Sequence, residues 1–133
     1  MTVSISQVTF DCSDPYALSQ FWAQVTGWGA YPGEPNLPGD DECWLGDLNT
    51  PGPALFFQRV PEPKTVKNRL HLDVEPTDGT RDEEVERLIA IGATLYDDQR
   101  RPDGTGWVVL ADPEGNEFCV ERSQAERDEP DGE

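Results

Sequence analysis

Alternating apolar and polar residues predict a hairpin toward the end of the chain. Trp107 to Leu110 is an apolar run suited to a buried strand, and the residues 112–116, Asp-Pro-Glu-Gly-Asn, have the composition of a turn. In the run that follows, Phe118 and Val120 alternate with Glu117, Cys119 and Glu121. The pattern therefore predicts two strands joined by a turn, with one buried face.

The same plan occurs earlier in the chain, which indicates an internal repeat. At an offset of 64 residues, Gln7 to Asp11 matches His71 to Glu75 with polar and apolar residues in the same phase. Three further landmarks recur at an offset of 63: Trp44 with Trp107, Gly52 with Gly115, and Gly29 with Gly92. Each unit is predicted to contain a strand, a helix and then three strands, and two such units would enclose a cavity.

Helix signals follow the first strand of each unit. Asp14 is a credible N-cap with Pro15 at the first helical position, and apolar residues recur at helical spacing up to Gly27. The run 80–83, Thr-Arg-Asp-Glu, fits a capping box for the second helix. The predicted strands lie at about 3–12, 42–48, 54–60, 69–75, 93–96 and 107–111, with a short strand after Trp28 and a last strand through Phe118 and Val120.

This arrangement resembles the vicinal oxygen chelate superfamily, which includes glyoxalases, bleomycin-resistance proteins, extradiol dioxygenases and fosfomycin-resistance enzymes. The resemblance rests on the Asp14-Pro15 helix start with Phe21-Trp22 inside the helix, on the strand 70–74, and on the turn 112–116 followed by a strand. It implies an α+β fold of two βαβββ modules that form a cupped, curved mixed sheet around a cavity. Function within such a fold depends on the site.

The resemblance also implies the domain organisation. Residues 1–123 are expected to form a single glyoxalase-like domain, with module 1 at about 1–60, a connector at about 61–68 and module 2 at about 69–123. Modules of this superfamily are sometimes exchanged between subunits, and the sequence leaves that arrangement open. The residues 124–133 form an acidic tail that we predict to be disordered.

Composition limits the classes of partner. The chain has 133 residues, 35% of them hydrophobic, which suits one domain, and it contains no apolar run long enough to span a bilayer. Its formal net charge of -17 repels both phosphate backbones and anionic lipid surfaces, so neither nucleic acid nor membrane is an expected partner. Solubility explains the acidity most simply, and a cleft for a cationic ligand is the alternative.

Cysteine usage and the N-terminus indicate a compartment. Cys12, Cys43 and Cys119 lie on three different predicted strands, which gives neither a disulfide framework nor a paired-cysteine zinc motif. Cys12 is expected to be a small core residue. The first six residues lack the basic region and apolar stretch of a signal peptide. We therefore expect a soluble, cytoplasmic protein.

Strand parity gives a candidate ligand-binding set. Side chains of the first, fourth and fifth predicted strands that lie opposite the apolar face should line the cavity, whereas Leu70, Leu72 and Val74 should be buried. Trp44 and Trp107 add aromatic surface, although the pattern leaves the facing of both, and of Trp28, open, and core packing explains each by itself. The candidate set is Gln7, Thr9, Asp11, Trp44, Phe56, Gln58, His71, Asp73, Trp107 and Cys119.

The resemblance implies where a metal would bind. Metal-dependent relatives have His or Gln on the first strand, His on the fifth, and Glu on the fourth or eighth strand or on both. Gln7 and His71 match the first two positions, but the carboxylate positions hold Phe56 and Cys119. Hard dications need anionic oxygen donors, so metal catalysis is disfavoured and no cofactor is expected. A divalent metal such as zinc on Gln7, His71 and Cys119 is the alternative.

Two functions follow for such a cavity. The first is binding of a small organic ligand, aromatic or cationic, without catalysis, as in bleomycin-resistance relatives; the resemblance also implies a homodimer. The alternative is a glyoxalase-type lyase or isomerase, in which His71 acts as base or metal ligand and Asp73 or Glu75 tunes its pKa. Cys119 as a nucleophile beside His71 has less support, because no third group is identified. A purely structural role would require a cavity filled by side chains.

Overall fold

The computed structural model describes residues 1–129 and confirms the α+β fold, with two sheets of mixed strand direction. The chain divides into two compact units, one of Met1–Thr65 and one that begins at Val66. The division falls inside the predicted connector 61–68. None of the helices in the described part of the chain has the length and apolar character needed to cross a bilayer.

Unit 1 contains one helix on a three-stranded sheet. Its elements are β1 (Gln7–Cys12), α1 (Pro15–Thr26), β2 (Glu42–Leu45) and β3 (Ala54–Arg59). The sheet order is β1-β3-β2, with β1 parallel and β2 antiparallel to β3. The predicted strand after Trp28 is present only as two isolated bridges, one between Gly29 and Gly46 and one between Tyr31 and Glu34.

The helix α1 forms where the sequence predicts it. The Asp14 carboxylate accepts a hydrogen bond from the Ala17 amide at 3.1 Å, and the helix ends at Gly27, whose φ of 74° is a left-handed conformation that favours glycine. Its apolar side packs on the sheet, where the Phe10 ring stacks on Phe57 with centroids 5.2 Å apart. The core of unit 1 comprises Cys12, Leu18, Phe21, Trp22, Cys43, Leu45, Ala54, Leu55 and Phe57.

Unit 2 contains a four-stranded sheet and two helices. Its elements are β4 (Asp73–Val74), α2 (Arg81–Ala90), β5 (Thr94–Asp98), β6 (Val108–Ala111), β7 (Glu117–Val120) and α3 (Gln124–Asp128). The sheet order is β4-β7-β6-β5, in which β4 runs parallel to β7 and the other pairs are antiparallel. The predicted hairpin is therefore confirmed as β6 and β7, joined by a turn in which Asp112 accepts hydrogen bonds from the Glu114 and Asn116 amides.

Strand register supports the predicted repeat. Thr9 pairs with Phe56 in unit 1, and Asp73 pairs with Cys119 in unit 2. Asp73 follows Thr9 by 64 residues and Cys119 follows Phe56 by 63, so the two pairs occupy equivalent positions of the repeat. Thus β1 on β3 and β4 on β7 are equivalent parallel pairs. The face that each residue occupies is preserved between the units, because the register is preserved.

The predicted fifth strand is much shorter than expected. Pairing of β4 with β7 begins only at Asp73, and Leu70, predicted to be buried, is 88% exposed. The reason lies upstream, where the buried Glu117 carboxylate accepts a hydrogen bond from the Asn68 amide at 3.2 Å. This contact sets the path of the chain before the strand, so residues 69–72 lie outside the regular sheet.

The predicted disordered tail is wrong for residues 124–129, because the helix α3 covers Gln124–Asp128. Ser123 and Glu126 form a capping box, and the Glu126 carboxylate also accepts a hydrogen bond from the Arg81 amide at 2.7 Å. Arg127 forms an ion pair with Glu75 at 2.5 Å. These contacts hold a polar segment that composition alone predicts to be disordered, and the residues 130–133 lie outside the described part of the chain.

Candidate functional site

Three polar side chains meet on one face of the unit 2 sheet. His71 Nδ1 lies 3.0 Å from Asp73 Oδ1 and 3.9 Å from Cys119 Sγ. If Nδ1 carries the proton that it donates to Asp73, Nε2 of the neutral imidazole is a hydrogen-bond acceptor. The pair therefore orients the imidazole and leaves its second nitrogen for a ligand.

Backbone pairing explains why these residues meet. Asp73 and Cys119 are register partners in β4 and β7, and the Cys119 amide donates to the Leu72 carbonyl at 2.9 Å. Parallel register partners share a face of the sheet, so Asp73 lies on the side of Cys119, and the contacts of His71 with both residues place it on the same side. The opposite side holds Phe118 and Val120, which are buried in the core under α2.

The thiol of Cys119 is protonated at neutral pH. Burial, and after it the Asp73 carboxylate as charge and as hydrogen-bond partner, raise its pKa to about 11, and Lys67 opposes the shift. The thiolate is the nucleophilic form of cysteine. In the absence of a bound cation, Cys119 therefore lines the site as a neutral thiol that can form hydrogen bonds.

A pocket of about 670 Å³ surrounds this group, which is within the size range of small-molecule sites. Trp107 forms part of its wall and is 37% exposed. The guanidinium of Arg101 lies over the Trp107 ring, 5.8 Å from its centroid. The pocket thus combines a partly exposed aromatic surface, with a guanidinium over it, and polar groups of the sheet.

A buried arginine holds the loop that carries Trp107. Arg81, at the start of α2, is 5% exposed, and its guanidinium donates to three consecutive carbonyls. These are the carbonyls of Gly104, Thr105 and Gly106, at 3.2, 3.2 and 3.0 Å. Because Thr105 and Gly106 themselves line the pocket, the helix start fixes one wall of the site.

Four of the ten sequence-predicted ligand-binding residues line this pocket, namely His71, Asp73, Trp107 and Cys119. The other six lie in unit 1. There Gln58 Nε2 donates to Asp11 at 2.9 Å, and Phe56 is the register partner of both Thr9 and Trp44. Trp44 is half-buried, with its ring edge-on to Tyr31 at 5.2 Å, and Gln7 is exposed at the start of β1.

Several pocket residues were not predicted from the sequence. Glu117 and Glu121 alternate with Cys119, so strand parity could have identified them. Lys67 and Arg101 come from segments without regular periodicity, and nothing in the sequence places them beside β7. Asp73 was predicted to line a cavity but not to supply a carboxylate next to Cys119.

The fold is that of a glyoxalase-like protein, and comparison with known families agrees. The family of glyoxalase-like domains matches residues 7–121. The chain therefore belongs to the glyoxalase-like domain family, and the resemblance to the vicinal oxygen chelate superfamily is confirmed. Comparison with curated protein sequences gives no match.

Solved structures share the fold. A glyoxalase/bleomycin resistance protein/dioxygenase family enzyme from Burkholderia phytofirmans is 24% identical, with a TM-score of 0.64 over 89% of this chain and 97% of that one. TioX from Micromonospora is 24% identical, with a TM-score of 0.58 over 90% and 98%. A fosfomycin resistance protein from Listeria monocytogenes, complexed with Mn(II) and dihydroxypropylphosphonic acid, is 16% identical, with a TM-score of 0.68 over 96% and 98%.

Proposed function

We propose that this protein binds a small organic molecule in the pocket of unit 2, with a planar part of the ligand against Trp107 and a polar group at His71. The observation that carries the proposal is the indole of Trp107, 37% exposed inside a concave site that also contains an oriented imidazole. Exposed aromatic surface beside a few convergent polar groups is the usual composition of a ligand site.

The sheet makes the site rigid before a ligand arrives. Cys119 and its neighbours are paired on both sides, with β4 and with β6, and the Trp107 loop is tied to α2 through Arg81. A preformed site loses little conformational entropy on binding. Ligand recognition therefore fits this geometry without requiring a chemical step.

Tryptophan fluorescence tests the proposal, because binding against Trp107 should change its emission. Screening of planar metabolites and drugs should yield ligands that change the fluorescence of the wild type but not of Trp107→Phe. Trp44→Phe is the matched control, since Trp44 lies in unit 1, and it should retain the response.

His71→Ala should lower affinity roughly tenfold by loss of one hydrogen bond to a polar ligand group, with little change in thermal stability. A response carried by Trp44, or a His71→Ala variant with normal affinity, would contradict the proposed site.

A lyase or isomerase of the glyoxalase type is the second candidate, favoured by the 3.0 Å contact between His71 and Asp73. In that role Nε2 of His71 would take a proton from the carbon next to a carbonyl, and Asp73 would stabilise the resulting imidazolium. Turnover of a carbonyl substrate that disappears in both His71→Ala and Asp73→Asn would support this reaction. Binding without turnover across the same panel would leave recognition as the function.

A divalent metal would belong to this second candidate. The potential ligand atoms of His71, Asp73 and Cys119 all lie within 4.8 Å of one another, so Asp73 adds a carboxylate to the metal positions inferred from the resemblance. Imidazole, carboxylate and thiolate together suit zinc, whereas a harder ion such as Mn²⁺ would use chiefly His71 and Asp73. A bound ion would supply Lewis-acid polarisation of a ligand oxygen.

Elemental analysis of protein purified without chelators or a histidine tag tests the metal. Near-stoichiometric zinc that is lost in both Asp73→Asn and Cys119→Ser would establish the three-residue site. Manganese lost only in the His71 and Asp73 variants would indicate the harder ligand set. Absence of any metal above trace level, together with unchanged binding of the organic ligand after dialysis against EDTA, would support metal-free recognition.

We also propose a homodimer. Each unit exposes apolar side chains that a second copy could cover, among them Ile5 in unit 1, 69% exposed, and Leu70 in unit 2. Light scattering after size-exclusion chromatography should give twice the monomer mass of 14.8 kDa. Ile5→Asp and Leu70→Asp should weaken the dimer, and a wild-type monomer at high concentration would contradict it.

A further inference from the structure

We infer that the ligand of the unit 2 pocket is a planar organic carboxylate, bound with its ring on Trp107 and its anionic group between Arg101, Arg122 and Lys67. The inference rests on the proposed function, because it names the ligand class of the same pocket. The net charge of -17 would suggest a cationic ligand, whereas the inferred ligand is an anion. The local arrangement of the basic residues carries the argument.

Basic side chains are concentrated in this pocket. The chain has only ten, against 27 acidic residues, and four of the ten line the pocket: Lys67, Arg101, Arg122 and Arg127. Outside the pocket, four of the five arginines form ion pairs with acidic neighbours, as Arg59 does with Asp41 and Arg87 with Glu84, and Arg69 is the exception within residues 1–129. An excess of carboxylates makes such pairing the expected state of a cation in this protein.

Three of the four pocket cations depart from that rule. Arg127 is paired with Glu75, but Lys67, Arg101 and Arg122 form no ion pair with any of the residues 1–129. Arg101 contacts the Trp107 ring. Hydrogen bonds from Thr105, and after them the charges of Arg101 and Arg122, lower the pKa of Asp103, but neither arginine forms an ion pair with it. These cations therefore remain available to an anion that enters the pocket.

Most carboxylates of the pocket, in contrast, already have donors. Asp73 faces His71 Nδ1 at 3.0 Å, Asp97 accepts from Gln99 Nε2 at 2.6 Å, and Glu117 accepts from the Asn68 amide at 3.2 Å. Glu121 is the remaining acidic residue of the lining. The lining is thus balanced in formal charge, with four basic and four acidic residues, but three of its cations have no ion-pair partner among residues 1–129, so an anionic group that enters the pocket can pair with them.

The position of Arg101 defines the shape of that ligand. Its guanidinium lies over the Trp107 ring, 5.8 Å from the ring centroid, so the indole and the guanidinium form one continuous surface, and a planar ligand against that surface can place a carboxylate on Arg101. A guanidinium binds a carboxylate through two parallel hydrogen bonds. Arg81 binds the carbonyls of the intervening loop, which fixes the position of the aromatic surface relative to the cationic one.

Three probes of similar size share one ring system and differ in charge: naphthoate, naphthamide and naphthylmethylamine. They separate the contribution of the ligand's charge to affinity from that of its ring. We expect naphthoate to bind at least about tenfold more tightly than naphthamide, since a charge-assisted pair contributes more than a neutral hydrogen bond. The amine should bind most weakly. Raising the ionic strength should weaken naphthoate binding and leave naphthamide unchanged. Calorimetry gives the affinities and Trp107 emission locates the probe.

Variants assign the effect to the pocket cations. Arg101→Gln and Arg122→Gln should each lower naphthoate affinity roughly fivefold or more and leave naphthamide affinity unchanged. Arg87→Gln is the matched control, because Arg87 is paired with Glu84 on α2 and should leave both affinities unchanged. If the amide or the amine binds as tightly as the acid, the inferred ligand class is wrong while the proposed pocket stands. If none of the three probes alters Trp107 emission, both the inference and the proposed site fail.

Discussion

Asp73 and Cys119 are direct partners in the parallel pair of β4 and β7, although 46 residues separate them in the chain. The carboxylate thus lies beside the thiol and, together with burial, raises the pKa of Cys119 to about 11. This relationship gives the site its electrostatic character. A carboxylate, an imidazole and a neutral thiol share one face of the sheet.

Removal of the Asp73 charge should make Cys119 more reactive. Burial is the largest cause of the raised pKa and Asp73 the next, so Asp73→Asn should lower the pKa of the thiol and increase its thiolate fraction below pH 11. Each unit by which the pKa falls should speed alkylation by iodoacetamide about tenfold at mildly alkaline pH. Mass spectrometry resolves the rate for each cysteine.

Cys43 serves as an internal control for that measurement. It is buried in unit 1, and burial also raises its pKa, with Asp40 and Asp14 as the acidic neighbours. Its alkylation rate should be equal in the wild type and in Asp73→Asn. A rate at Cys119 that does not change, or that falls, would show that Asp73 does not act on the thiol.

Arg81 should be important for both stability and binding. Arg81→Met leaves three loop carbonyls without their common donor and removes the ion pair with Asp82, so the free energy of unfolding should fall by about 2 to 4 kcal/mol. Urea unfolding measures this loss. Where the variant is folded, a looser loop should also weaken any ligand that alters Trp107 emission.

Arg87→Met is the control for Arg81→Met. The Arg87 side chain is 45% exposed and pairs with Glu84 on the same helix, so its loss should cost less than about 1 kcal/mol. Equal losses for the two arginines would mean that the contacts to the loop carbonyls contribute nothing to stability.

Alanine substitutions at two glycines of the loop distinguish the cost of a steric conflict from the cost of backbone strain. Gly104 and Gly106 have nearly the same left-handed φ, +90° and +93°, so alanine is strained at either position. A Cβ at Gly106 would lie 2.1 Å from the Gln99 carbonyl oxygen, whereas a Cβ at Gly104 meets no atom within 4 Å. Gly104→Ala should therefore cost about 1 kcal/mol and Gly106→Ala clearly more. Thermal melting would refute this difference if both variants lost the same stability.

Adjacent phenylalanines of β3 test the facing of that strand. Phe57 is 0% exposed in the core of unit 1, and Phe56 is half-buried on the other face. Phe57→Ala should lower the free energy of unfolding by about 3 to 5 kcal/mol, and Phe56→Ala by less than half as much. Denaturant unfolding of the two variants makes the comparison, and a larger loss at Phe56 would reverse the assignment of faces.

The sequence by itself determined the repeat and most of the local structure. Asp14 and Gly27 bound the first helix, the capping box at Thr80 starts the second, and the turn at 112–116 joins β6 to β7, as predicted. These signals succeed because a cap or a turn depends on residues only two to four positions apart. The equivalence of Gln7 with His71 followed from the same short patterns, repeated at a fixed offset.

Only the tertiary structure decided which side chains meet. The length of β4 and the exposure of Leu70 depend on Glu117, which binds the Asn68 amide from 49 residues away. The helix α3 begins at a local capping box, but Glu126 also reaches the Arg81 amide 45 residues away, and Arg81 in turn holds the loop carbonyl that precedes Trp107. Contacts between residues so distant in the chain are set by strand register and side-chain reach, and neither has a signature in local periodicity.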